Sequence, residues 1–411
     1  MYRNEHLRSK YLYSIVILSF IVLNTLSLSG QPGNTTAKKW VATWSTGMQL
    51  VETRNNPPAP GLTGNSLRQV VRVSIGGDVM RLKLSNEFSK SPVTLHSVQI
   101  AASAGESAIK LPTNLVLTFK GSKEITLAPG TSIISDPVKF GLQPRMDVAI
   151  TIYFGDTSPD ITGHPGSRTT SYLLTGNNPS VTDFTGAATT EHWYVINGID
   201  VEAPATSSCV AILGNSITDG RGSTTNMQNR WPDLLSEKLF GNPGTSQVGV
   251  LNLGIGGNCV LKDCLGPAGI KRYGREILRQ AGVKFVIVFE GVNDIGGVRN
   301  ADAAASVSKG LIEAYKMMID SAHSRGLKIY GATITPFKGN GYYNQFSETC
   351  RNEVNGWIRS SGRFDAVLDF DYVVRNPADT ISLMSSFQND GLHPDVAGFK
   401  KMADCISLKL F

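Results

Sequence analysis

The chain has 411 residues, more than one hydrophobic core usually holds (about 250–300), so two domains are expected. With 41% hydrophobic and 18% charged residues it reads as a folded globular protein and not a disordered one. The formal charge of +6 is spread without a basic run and offers no support for nucleic-acid binding.

Arg3, Arg8 and Lys10 against Glu5 account for +2 of that charge. They open a segment whose apolar centre runs from Leu12 to Leu23 and ends in small polar residues through Ser29-Gly30. Residues 1–30 therefore read as a secretory signal peptide. The competing reading, a membrane anchor, fits less well: Ser, Asn and Thr interrupt a run already short for a span of about 20 residues. No other stretch could cross a bilayer. The expected location is secreted or periplasmic, with no stable membrane association after signal cleavage. Oligomeric state is not readable from the sequence.

From Trp40 to about Val201 the pattern is β throughout. Alternating runs either side of Gly76-Gly77-Asp78 predict a hairpin. Further short strands follow at VTLHSVQIA, LVLTF, KEITLAPGTSIIS, DVAITIYF and HWYVINGIDVE. Many short strands without helical periodicity imply an all-β sandwich or jelly-roll domain over residues 36–203. Ala203–Thr206 reads as the crossing to a second domain, 206–411. There strands and helices alternate: strands at Cys209–Leu213, Gly249–Leu253, Lys284–Phe289, Leu327–Ile334 and Ala366–Phe370, and helices at Arg230–Phe240, Ile270–Gln280, Ala301–Arg325, Ser347–Ser360 and Asp395–Leu410. Such alternation predicts an α/β domain with about five parallel strands.

The stretch CVAILGNSITDGRG holds the residue most suited to attack a carbonyl. Cys209–Leu213 reads as a buried strand, and Ser216 follows at its carboxyl end, the edge where open α/β sheets place ligands. A serine there needs a base. Of six histidines, His6 lies in the signal, His96, His164 and His192 in the β part, and His323 near a helix end. His393, in NDGLHPDVAGF, sits in a polar loop with Asp390 three residues earlier. In a tight turn that carboxylate can orient the imidazole, leaving Nε2 for the serine proton. The alternative is an Asp–His pair that only caps the last helix. LNLGIGGN sets Gly254, Gly256 and Gly257 at the end of the second strand, where backbone N–H groups can approach a ligand closely. Asn293 in FEGVNDIGG offers a side-chain amide to a developing oxyanion. Asp294 more readily holds the loop, and Glu290 reads as a strand-end carboxylate. Cys259 and Cys264 are spaced to close a small disulfide loop, against the alternative of free thiols.

Four ordered blocks, GNSITDG (214–220), GIGGN (254–258), GVND (291–294) and DGLHPD (390–395), resemble the SGNH or GDSL-type hydrolases. WVATWSTGMQ and SLRQVVRVSIGGDVMRLKLSN resemble the secreted esterase branch that carries an N-terminal β-domain. The resemblance implies a flavodoxin-like three-layer sandwich. It also implies Ser216 as nucleophile, His393 as base, Asp390 as orienting acid, and an oxyanion hole from the Ser216 and Gly257 N–H groups and the Asn293 side chain. No metal or organic cofactor is implied. One departure stands out: the first block usually reads Gly-Asp-Ser, and here Asn215 replaces the aspartate. The position supports the turn and donates no proton, so activity is expected to survive.

The sequence thus predicts an exported serine esterase acting through an acyl-enzyme on short acyl, above all acetyl, esters of polysaccharides or oligosaccharides. The alternatives are a broad aryl or short-chain lipid esterase and a catalytically silent glycan-binding protein.

Overall fold

The computed structural model describes residues 37–157 and 159–411. The signal-peptide reading of residues 1–30 falls outside them. No helix among the described residues is long and apolar enough to cross a membrane.

The N-terminal half is built on two large antiparallel sheets, with a small three-stranded one formed by Gln49–Leu50, Thr162–His164 and Trp193–Tyr194. One large sheet is built around Gly77–Asn86, flanked by Ile196–Pro204 and Val138–Leu142, with Lys38–Ser45 beyond. The other is built around Asp147–Phe154, between Asn65–Arg72 and Val93–Gly105. Leu67 and Val71 of one sheet and Met80, Leu82 and Leu84 of the other are fully buried in the same cluster. This corrects the hairpin expected about Gly76-Gly77. The runs on either side do form strands, but they belong to different sheets and do not pair. Each has a face too apolar for water, and both faces close on one core, so the glycine corner carries the chain from sheet to sheet.

The C-terminal half holds a five-stranded parallel sheet in the order Val248–Gly254, Ser208–Gly214, Val283–Phe289, Lys328–Ala332, Ala366–Leu368. Alternation along the strands serves both faces, as parallel strands require. Cys209, Ala211 and Leu213 join one apolar cluster, while Val210 and Ile212 join the other. Helices Ala301–His323 and Gln345–Ser360 cover the first face, and Trp231–Phe240 and Val396–Cys405 the second. Strand order reverses on either side of Ser208–Gly214, which opens a crevice at its carboxyl end. The expected helix over Ile270–Gln280 is instead a short α-turn, Gly269–Arg272, followed by a π-turn, Tyr273–Ile277.

The halves are not independent in their packing. Ala37–Phe411 form one compact unit, and the cluster on the first sheet face runs without a break into the β-sandwich. The Ala42 N–H donates to Ala281 O (2.8 Å), and Ser74 Oγ accepts from the Val250 N–H (3.0 Å). A chain starting at Ala205 should therefore lack a cooperative unfolding transition and near-UV dichroism. A sharp thermal transition in that fragment would show that the hydrolase half needs no β partner.

Candidate active site

Ser216 is the first residue of a four-residue helix, Ser216–Asp219, at the crevice. Its Oγ lies 2.9 Å from His393 Nε2, and His393 Nδ1 lies 2.7 Å from Asp390 Oδ2. The other carboxylate oxygen of Asp390 accepts from the N–H groups of His393 (2.8 Å) and Leu392 (3.0 Å). One turn thus fixes both the imidazole and the acid that orients it. Burial pushes the His393 pKa below its ordinary value, outweighing the opposing pull of the Asp390 carboxylate. The imidazole is therefore held as a neutral base. Asp390 lies below the usual carboxylate range: burial would raise it, but its hydrogen bonds from His393 outweigh that.

Ser216, Gly257 and Asn293 line one cleft. The Ser216 N–H opens its helix, and the Gly257 N–H makes no hydrogen bond among the described residues. Gly257 has φ +69°, a left-handed backbone that favours glycine, and a Cβ there would press on the Leu265 side chain at 2.8 Å. The Asn293 amide is fixed at both ends: Nδ2 donates to Asn258 O (2.7 Å) and Oδ1 accepts from the Tyr342 hydroxyl (3.0 Å). One Nδ2 hydrogen remains for the cleft. Asp294 holds the loop, accepting from the Val260 (2.8 Å) and Leu261 (3.0 Å) N–H groups. Cys259 and Cys264 are joined by a disulfide in the same loop system.

Beneath the site lies Arg272, fully buried. It donates to Gly214 O (2.9 Å), Leu253 O (2.6 Å), Asn258 Oδ1 (2.9 Å) and Glu276 (3.0 Å), and stands 3.6 Å from Glu290. Asn215 accepts from the Ile217 N–H (3.0 Å), capping the short helix, and donates to Glu290 Oε2 (3.3 Å). An aspartate at 215 would keep the cap but set a second carboxylate against Glu290. Asparagine suits this neighbour, and Glu290 is more than a strand-end carboxylate. Burial raises its pKa to about 8, ahead of the opposing pull of Arg272.

The β-rich half supplies one wall of the site, which no motif in it had suggested. A cleft of about 450 Å³ at Ser216 is lined from that half by Gln49, Glu52, Arg54, Asn55, His164, Arg168 and His192. His164 is buried, with Nε2 2.8 Å from Asp219 Oδ1 and Nδ1 2.8 Å from Gly47 O. Arg168 reaches the other Asp219 oxygen at 3.3 Å. Asp219 ends the helix that Ser216 begins, so His164 ties the β half to that helix. Burial would raise the Asp219 pKa, yet His164 and Arg168 hold it below the usual carboxylate range. A Cβ at Gly166 would lie 1.8 Å from Asp219, so the strand carrying His164 can approach only through glycine. Among the described residues no group of three or more His, Cys, Asp and Glu side chains could hold a metal.

Residues 212–401 match the GDSL-like lipase/acylhydrolase family. The C-terminal half is a GDSL-like lipase/acylhydrolase domain, and the protein is by class a carboxylic ester hydrolase. No curated protein matches the chain. Among solved structures, the chain is similar to a lipolytic protein of the G-D-S-L family from Desulfitobacterium hafniense DCB-2, at 22% identity over 48% of this chain and 97% of that one, TM-score 0.36. It is also similar to an acetyl xylan esterase, AlAXEase, at 20% identity over 48% of this chain and 96% of that one, TM-score 0.37. A third is a carbohydrate esterase family 2 enzyme with a carbohydrate-binding domain from Corynascus thermopiles (Myceliophthora fergusii), at 14% identity over 87% of this chain and 96% of that one, TM-score 0.37.

The raised Glu290 carboxyl has a consequence for stability. Between its ordinary value of 4.5 and about 8 the folded state binds a proton that the unfolded state releases. Stability then falls as pH rises through that window. Glu290→Gln should remove this fall: the wild-type urea midpoint minus that of the variant should decrease between about pH 5 and pH 8. A constant difference would mean that Glu290 is ionised throughout.

Proposed function

We propose that Ser216 attacks an ester carbonyl while His393 Nε2 takes its proton, with Asp390 holding the imidazole and stabilising the imidazolium that forms. The tetrahedral oxyanion is met by the Ser216 and Gly257 N–H groups and the Asn293 amide. Its collapse releases the alcohol, to which His393 returns the proton, and leaves an acyl-serine. Water deprotonated by His393 then attacks the acyl carbonyl, and Ser216 departs with the proton as the acid is freed. The observation that carries this reading is the unbroken Ser216–His393–Asp390 chain of 2.9 and 2.7 Å contacts.

The substrate we favour is a short acyl, chiefly acetyl, ester of an oligosaccharide or polysaccharide. Pro165, Leu265, Leu392 and Tyr342 are set in the cleft among charged, amide and imidazole side chains suited to hydroxyl-rich ligands. A broad aryl or short-chain esterase is the second reading, favoured by a neighbouring shelf formed by Leu50, Phe88, Leu265 and Pro267. Acetate release from xylan or pectin fragments, set against 4-nitrophenyl esters of increasing chain length, separates the two. We also propose export, on the signal-like residues 1–30 and on the Cys259–Cys264 disulfide, a bond suited to an oxidising compartment.

Ser216→Ala should abolish hydrolysis of 4-nitrophenyl acetate with an unchanged thermal midpoint; substantial turnover in that variant removes Ser216 as the nucleophile. Because protonated His393 cannot accept the serine proton, kcat/KM should rise with pH through one ionisation below about 6.5 and then level. An acid limb centred above about pH 7 would exclude a base whose pKa is depressed by burial.

A further inference from the structure

Three arginines line the cleft: Arg54 and Arg168 from the β-rich half, and Arg221 just after the Ser216 helix. Their donors are largely unspent. Arg54 is exposed and forms no side-chain hydrogen bond or ion pair among the described residues. Arg221 is 64% exposed and meets Asp390 only at 3.8 Å, beyond hydrogen-bond reach. Arg168 holds a left-handed backbone, φ +51°, which costs a non-glycine residue on the order of 1 kcal/mol or more and is the kind of strain found at ligand clamps. Its Nε is buried without a hydrogen-bond partner. Its one carboxylate contact, Asp219 at 3.3 Å, is shared with His164 at 2.8 Å.

The carboxylates nearby do not take up these donors and are bonded to other groups. Glu52 accepts from Gln49 Nε2 (2.8 Å) and Asn55 Nδ2 (2.8 Å), and Asp390 is occupied by His393 and Leu392. Elsewhere arginines about as buried as Arg168 are matched at shorter distance, as Arg72 is by Asp147 (2.7 Å) and Arg359 by Asp369 (2.6 Å). A guanidinium is a planar fork suited to two oxygens of one anion.

We infer that the ester carries a carboxylate, or a chemically equivalent oxyanion, away from the scissile bond, and that Arg54, Arg168 and Arg221 bind it. The inference rests on the hydrolase reading above and names its substrate class: acylated acidic sugars, with a uronic acid as the simplest case. Binding energy from such a remote group can be used to orient the ester at Ser216, raising kcat as well as lowering KM.

The test compares three O-acetylated methyl hexosides, as the free uronic acid, its neutral methyl ester and the 6-O-sulfate, with 4-nitrophenyl acetate as uncharged reference. The free acid should exceed its methyl ester in kcat/KM by about tenfold or more, the scale of a charge-assisted hydrogen bond. The gap should narrow when salt rises from about 50 mM to about 500 mM. Arg54→Ala should carry the acid-to-ester ratio toward one, and Arg168→Gln should do the same. Arg54 is exposed and unpaired, so its variant tests the idea without a folding role to lose. Equal preference for the sulfate assigns the site to oxyanions in general; preference for the acid alone assigns it to carboxylates. A wild-type ratio near one, with 4-nitrophenyl acetate still hydrolysed, overturns the inference and leaves the esterase reading intact. Failure on 4-nitrophenyl acetate and on all three glycosides would overturn both.

Discussion

The site depends on a single buried guanidinium. Arg272 joins the carboxyl ends of the first two parallel strands through Gly214 O and Leu253 O, the Gly257 loop through Asn258, and the third strand through its approach to Glu290. Gly214 O also accepts from the Ile255 N–H (3.0 Å), so Arg272 adds a charged donor where the first two strands end. It ties together the strand ends and loops that carry Ser216, Gly257 and Asn293. A charge buried so completely persists because its donors find acceptors; with any large share of them removed it would be a liability of several kcal/mol.

Above this floor the Ser216 helix is a single turn, too short to be stable alone. It is held at its start by the Asn215 cap, which leans on Glu290, and at its end by Asp219, which leans on His164. The two supports come from different halves of the molecule. The β-rich half therefore braces the Ser216 helix and furnishes a wall of the cleft. The same packing merges the sandwich core with one face of the parallel sheet.

Much of the relay could be read from local spacing. Asp390 and His393 lie three residues apart within one turn, and Ser216 follows an apolar strand, so each half of the contact has a local signature. The Gly257 and Asn293 positions carried the same kind of signal, glycines and amides just past strand ends. Local spacing carries no signal for residues whose partners are far away in the chain. His164 looked like one more histidine in a β segment, yet it bonds Asp219, 55 positions later. Arg272 falls in the segment expected as a helix over Ile270–Gln280, yet it is completely buried and a π-turn follows it. The Gly76-Gly77 corner carried a hairpin's signature because turn chemistry is local, while the choice of partner strand is not.

By itself the sequence determined the periodicities, and with them the β-rich and α/β halves, the strand carrying Ser216, and the turn that couples Asp390 to His393. These depend on contacts within a few residues, where backbone geometry leaves few options. Only the tertiary structure decided which sheets the N-terminal strands join, how Arg272 and Glu290 come to lie under Asn215, and that His164 and Arg168 stand against the Ser216 helix. Those outcomes follow from burying two apolar sheet faces in one core, a constraint on the whole chain that no short window contains.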